Sequence, residues 1–90
     1  MKYLLGENVQ IDSFSDGECV VYDGSNEIMH ILNQTAAMAL EIILEYGESA
    51  LPTFIQRNQE LNQDIPIDIL ERDFENILKN FLKVRIVIPG

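Results

Sequence analysis

Glu27-Ile28-Met29-His30-Ile31-Leu32-Asn33-Gln34-Thr35-Ala36-Ala37 joins two kinds of chain at one dipeptide, Leu32-Asn33. Before the dipeptide the residues are strand-tolerant and mostly apolar, with one charge at Glu27. After it, Ala36, Ala37, Met38, Ala39 and Leu40 are all good helix formers. Asn33 is the natural hinge, because its side-chain oxygen can accept an orphan N–H from the first helical turn. The stretch therefore reads as a strand over 27–32 tied directly to a helix that starts at about Asn33.

Upstream, Val9, Ile11 and Ser13 alternate with Gln10 and Asp12, the pattern of a half-buried strand. Ser15-Asp16-Gly17 reads as a turn, and Glu18 to Asp23 as a second strand through Cys19-Val20-Val21-Tyr22. Asp23-Gly24-Ser25-Asn26 is a further turn. Loops this short make an antiparallel three-stranded meander. Downstream, Ala36, Leu40, Ile43 and Leu44 repeat at helical spacing as far as Tyr46, and Gly47 is placed to end the helix. A second helix opens at Ser49 or Leu51, tolerates Pro52 in its first turn, and breaks at Asn62-Gln63-Asp64. A third begins near Pro66 to Asp68, either with Pro66 in its first position or with Asp68 and Glu71 as a capping box. Ile67, Leu70, Phe74, Ile77, Leu78, Phe81 and Leu82 form its single apolar stripe. Arg85 to Ile88 reads as a short last strand. The expected fold is α+β and winged-helix-like: a three-stranded antiparallel β-meander followed by three α-helices and a short C-terminal strand.

The totals narrow the function classes. Ninety residues, 47% of them hydrophobic, make one domain over 1–90 with a modest core. No apolar run approaches the roughly 20 residues of a membrane span. The N-terminus, Met1-Lys2-Tyr3-Leu4-Leu5-Gly6-Glu7, begins like a signal peptide, but its apolar segment is too short, so a cytoplasmic protein without membrane partners is expected. Six basic against fifteen acidic residues give a net charge of −9, which repels phosphate backbones and argues against nucleic acid. One cysteine, Cys19, and one histidine, His30, supply neither an internal disulfide nor a Cys/His metal site. There is no Gly-rich phosphate loop, no GxSxG and no HExxH. No catalytic residue and no cofactor is expected.

The run Val20-Val21-Tyr22-Asp23, a turn, Ile28 to Leu32-Asn33, then Thr35-Ala36-Ala37 resembles the PqqD-like proteins, also called RiPP recognition elements (RiPPs are ribosomally synthesised and post-translationally modified peptides). Gly47, Asp73-Phe74, Ile77-Leu78, Phe81 and Ile86-Val87 continue the likeness, which covers roughly residues 9 to 88. Leu-Asn-x-Thr-Ala-Ala is its most specific part. Arg85 departs from the pattern, standing where the family usually has a glycine. The resemblance implies a non-catalytic peptide chaperone. Such a protein binds the leader segment of a precursor peptide and delivers the rest to a modifying enzyme, often a radical SAM enzyme. The leader lies as an extra strand along the third strand, in a cleft closed by the third helix.

The residues are compatible with that role. Strand addition needs an exposed sheet edge with side-chain pockets beside it. The third strand of a meander is such an edge, and this one carries no Pro or Lys, the usual edge defences. Coverage by the C-terminal residues, or pairing of two copies, would instead close it, and the oligomeric state stays open. One flank of the third helix carries Asp68, Glu71 and Glu75; the other carries Asp73, Asn76, Ile77 and Asn80, with Arg72 beyond. Leaders of this class are often acidic, and an acidic strand would favour the second flank. The expected peptide-binding residues are therefore Glu27, Ile28, Met29, His30 and Ile31 on the strand, with Arg72, Asp73, Asn76, Ile77 and Asn80 on the helix. The alternative is a winged-helix DNA-binding or regulatory domain reading with Arg72, Lys79 and Lys83. The acids in the first half of that helix oppose it.

Overall fold

The computed structural model describes residues 2–13 and 19–90. The strands are β1 (Tyr3–Leu5), β2 (Val9–Ser13), β3 (Cys19–Asp23), β4 (Ile28–Leu32) and β5 (Val87–Pro89). The helices are α1 (Gln34–Tyr46), α2 (Ala50–Leu61) and α3 (Ile67–Lys83), with one 3-10 turn at Gly47–Ser49 between α1 and α2. The Ser15-Asp16-Gly17 turn expected from sequence lies outside the described residues.

The meander forms as expected. β2, β3 and β4 make one antiparallel sheet in that order, with Ile11 opposite Val21 and Val21 opposite His30. Alternation puts Cys19, Val21 and Leu32 on the inner face, where all three are buried. Ala39, Leu40, Ile42 and Ile43 of α1, Phe54 of α2, and Leu70, Phe74 and Phe81 of α3 complete the core beneath them. The Phe54 and Phe74 rings meet at 5.2 Å in a tilted arrangement, the geometry aromatic pairs prefer.

The helix ends follow from local chemistry. Asn33 caps α1, its Oδ1 accepting the Ala36 N–H at 2.8 Å. Gly47 ends the helix at φ 58, a left-handed value suited to glycine. α3 departs from the expectation at its start. Pro66 takes the cap position with extended backbone, and no side chain caps the helix, so the Asp68–Glu71 box is not formed. Asp68 lies in the first turn and Lys83 in the last, each of the sign that complements the helix dipole.

Two features were not read from the sequence. One is β1, which pairs antiparallel with β5, Leu4 opposite Ile88. The other is the exit from α3. Ile86 N–H donates to the Phe81 carbonyl at 2.9 Å and Arg85 N–H to the Leu82 carbonyl at 3.3 Å. This is a Schellman motif, in which the residue after the cap turns left-handed. That residue is Arg85, at φ 62. An arginine thus takes the left-handed position at which the resembled pattern has a glycine. The last strand accordingly starts at Val87, not Arg85.

Gly6 seals this corner. Its N–H donates to the Ile86 carbonyl at 2.8 Å, and a Cβ placed on it would collide with the Arg85 carbonyl oxygen. Two opposite stability changes are expected from thermal melts. Gly6→Ala should destabilise by about 2 kcal/mol, because backbone must move to admit the methyl group. Arg85→Gly should stabilise by roughly 1 kcal/mol, since only a residue with a Cβ bears the left-handed strain. A lower melting temperature for Arg85→Gly would contradict the assignment.

Candidate site: an open strand edge and the groove at its end

β4 hydrogen-bonds to β3 on one side, and among the described residues no strand pairs with its other side. The C-terminal strand does not cover it, because β5 is committed to β1. Leu32 anchors β4 to the core and His30 is half-buried on the same face. Met29 and Ile31 face outward and are 63% and 72% exposed. Tyr22, directly opposite Met29 on β3, adds to this exposed apolar surface. A five-residue edge of this kind spans about 16 Å and leaves its outward backbone groups to whatever pairs with it.

Both ends of β4 are held by side-chain hydrogen bonds. At the far end is the Asn33 cap. At the near end, buried Asp23 closes the β3–β4 turn. Its Oδ1 accepts the Ser25 N–H at 3.0 Å and the Asn26 N–H at 3.3 Å, while its Oδ2 accepts the Asn26 side-chain amide at 2.8 Å. The Asn26 side chain does most to hold the Asp23 carboxyl below its ordinary pKa. The two backbone N–H groups and nearby His30 assist, against the opposing effect of burial. Glu27 belongs to this turn, at φ 55, and not to the strand, which corrects the expected start of β4 by one residue.

A groove of about 360 Å³ opens where β4 ends. It is lined by Asn33, Thr35 and Ala36 from the start of α1, and by Asp73, Asn76 and Ile77 from the middle of α3. Of the helix residues singled out from sequence, Asp73, Asn76 and Ile77 thus come together. Arg72 and Asn80 are exposed and do not line the groove. The flank expected to suit an acidic strand therefore presents a carboxylate at the groove, while its cation stands outside. The strand residues Ile28, Met29, His30 and Ile31 lie along the edge that leads to the groove, outside its walls.

Sequence reasoning missed Asn33, Thr35 and Ala36 as site residues, having read them only as a helix start. The signal was present. They are three of the residues of Leu-Asn-x-Thr-Ala-Ala, and the cap fixes them at the end of the strand. Ile69, 43% exposed, is a further omission: it precedes Asp73 and Asn76 by four and seven residues, so it shares their side of α3.

The single cysteine sits in the core under the strand edge. The Cys19 thiol is buried, and burial, aided by the charge of Asp12, pushes its pKa up, away from a reactive thiolate. Among the described residues no three His, Cys, Asp or Glu side chains are grouped to hold a metal ion. No described helix is long and apolar enough to cross a membrane.

No family model and no curated protein sequence matches the chain. Two solved structures share its fold along the full length. TbiB1 in complex with the TbiA(beta) leader peptide aligns with a TM-score of 0.79 at 13% identity, covering 100% of this chain and 98% of that one. Lasso peptide synthetase B1 complexed with the leader peptide aligns with a TM-score of 0.80 at 18% identity, covering 99% and 100%. At these identities the likeness establishes a common α+β fold.

The Asp23 turn carries a pH dependence whose sign is fixed. A carboxyl held low in the folded state stabilises above its ordinary pKa of 3.8, and that contribution is lost as pH falls through the lowered value. In an acid titration the Ser25 and Asn26 amide resonances should move together, with a midpoint below 3.8, as thermal stability declines. A midpoint at or above 3.8 would contradict the clasp.

Proposed function

We propose that this chain is a RiPP recognition element of the PqqD-like kind, binding the leader segment of a ribosomally made precursor peptide and presenting it to a modifying enzyme. The observation that carries the reading is the uncovered edge of β4. A peptide pairing there satisfies its own backbone groups and those of β4 together, and its alternate side chains point to opposite faces of the sheet. Pairing extended past Leu32 brings the peptide to the groove between α1 and α3. The fold is shared with two proteins solved with leader peptides bound, which supports the same use of it here.

The role is binding without catalysis. The chain's one thiol is buried, and its one histidine lies on the binding edge. One of the two structural relatives is named lasso peptide synthetase B1, which supports a lasso peptide synthetase as the receiving system over a radical SAM enzyme. No observation favours DNA. Arg72, Lys79 and Lys83 share the exposed side of α3 with acids along its first half.

The test is a titration of isotopically labelled protein with synthetic leader peptides of any precursor found among the neighbouring reading frames. Amides of residues 28–33 should shift and become protected from hydrogen exchange, with further shifts at Thr35, Asn76 and Ile77. Saturating leader that leaves β4 amides unperturbed would overturn the proposal.

A further inference from the structure

The groove has a distinct chemistry. Ala36 and Ile77 give it apolar walls, Asn33, Thr35 and Asn76 give it neutral polar groups, and Asp73 gives it a single full charge. Among the described residues no lysine or arginine pairs with Asp73. The start of α1 lies in the same wall and contributes a partial positive charge of about half a unit. Asn33 already accepts one N–H there, so that end is partly satisfied. A full negative charge outweighs the remainder, and the chain's net −9 adds to it.

We infer that this groove is a side-chain subsite that selects a lysine or arginine of the bound peptide, with Asp73 as its counter-charge. The inference rests on the peptide-binding reading above and deepens it. Size agrees: pockets for whole small ligands begin near 300 Å³, so 360 Å³ open to solvent suits one or two side chains. Chemistry agrees as well. A long aliphatic stem can lie on Ala36 and Ile77 while its charged head reaches the carboxylate and the neutral acceptors around it. Position adds register. The groove follows directly on Leu32, so a basic residue seated there fixes how far the peptide has slid along β4, which backbone pairing alone does not determine.

The experiment is selection of random twelve-residue displayed peptides, run in parallel on the wild-type protein and on Asp73→Asn, Asp73→Lys and Glu71→Gln. Asp73 is exposed, and circular dichroism melts will verify that each variant folds. The wild type and Glu71→Gln should enrich strand-forming peptides with Lys or Arg at one fixed position. Asp73→Asn should lose that preference and bind the best such peptide about tenfold more weakly, by a margin that shrinks with salt. Asp73→Lys should enrich Asp or Glu at the same position. Strand-forming peptides without a basic position, or with the same preference in Asp73→Asn, would overturn the subsite and leave leader binding standing. Selection of no peptide that perturbs β4 would overturn both.

Discussion

The pairing of β5 with β1 decides what the rest of the molecule can do. Backbone N–H and C=O groups in a strand need partners, and a C-terminal segment emerging from α3 could in principle have found them on β4. It finds them on Tyr3–Leu5 instead. The Schellman turn at Arg85 aims it there, and Gly6 packs against that turn closely enough to exclude any side chain of its own. Ile86 and Val87 are buried by the same arrangement, so the two ends of the chain also complete the core. The chain's own C-terminal strand is thereby used up, and β4 stays an edge.

The legible parts of this fold were those written locally. The Asn33 cap, the Gly47 stop and the apolar stripe of α3 each depend on residues a few positions apart, and each appeared where the sequence placed it. The missed parts depend on residues distant in the chain. Three residues of alternating exposure, Tyr3 to Leu5, are too short to announce a strand, and their partner begins more than eighty positions later. Arg85 at positive φ was illegible for another reason: the residue type that signals such a conformation is absent, and the surrounding packing imposes it. The groove needed both kinds of information. Its α3 wall was readable as one flank of an amphipathic helix. Its α1 wall was marked by the Leu-Asn-x-Thr-Ala-Ala motif, but which side of α1 meets α3 is a matter of tertiary packing.

The specific motif of the resemblance gains a physical meaning from this geometry. In Leu32-Asn33-x-Thr35-Ala36-Ala37 the leucine anchors the edge strand in the core and the asparagine caps the helix. Asn33, Thr35 and Ala36 then turn their remaining surface to the groove. One short segment thus sets the strand, the helix and the wall between them. Arg85, before β5, carries a different kind of information, a left-handed backbone angle that the neighbouring hydrogen bonds enforce.

The net charge of −9, which entered as an argument against nucleic acid, also bears on the edge itself. An unpaired strand flanked by exposed Met29, Ile31 and Tyr22 is a template for its own kind, and two copies meeting there would extend each other's sheets. Each copy, however, brings the same excess of negative charge to the encounter. At physiological salt that repulsion reaches about 8 Å, enough to oppose edge-to-edge contact. A short neutral or basic segment meets no such barrier. The acidity of the chain thus opposes the pairing of this edge with a second copy of itself.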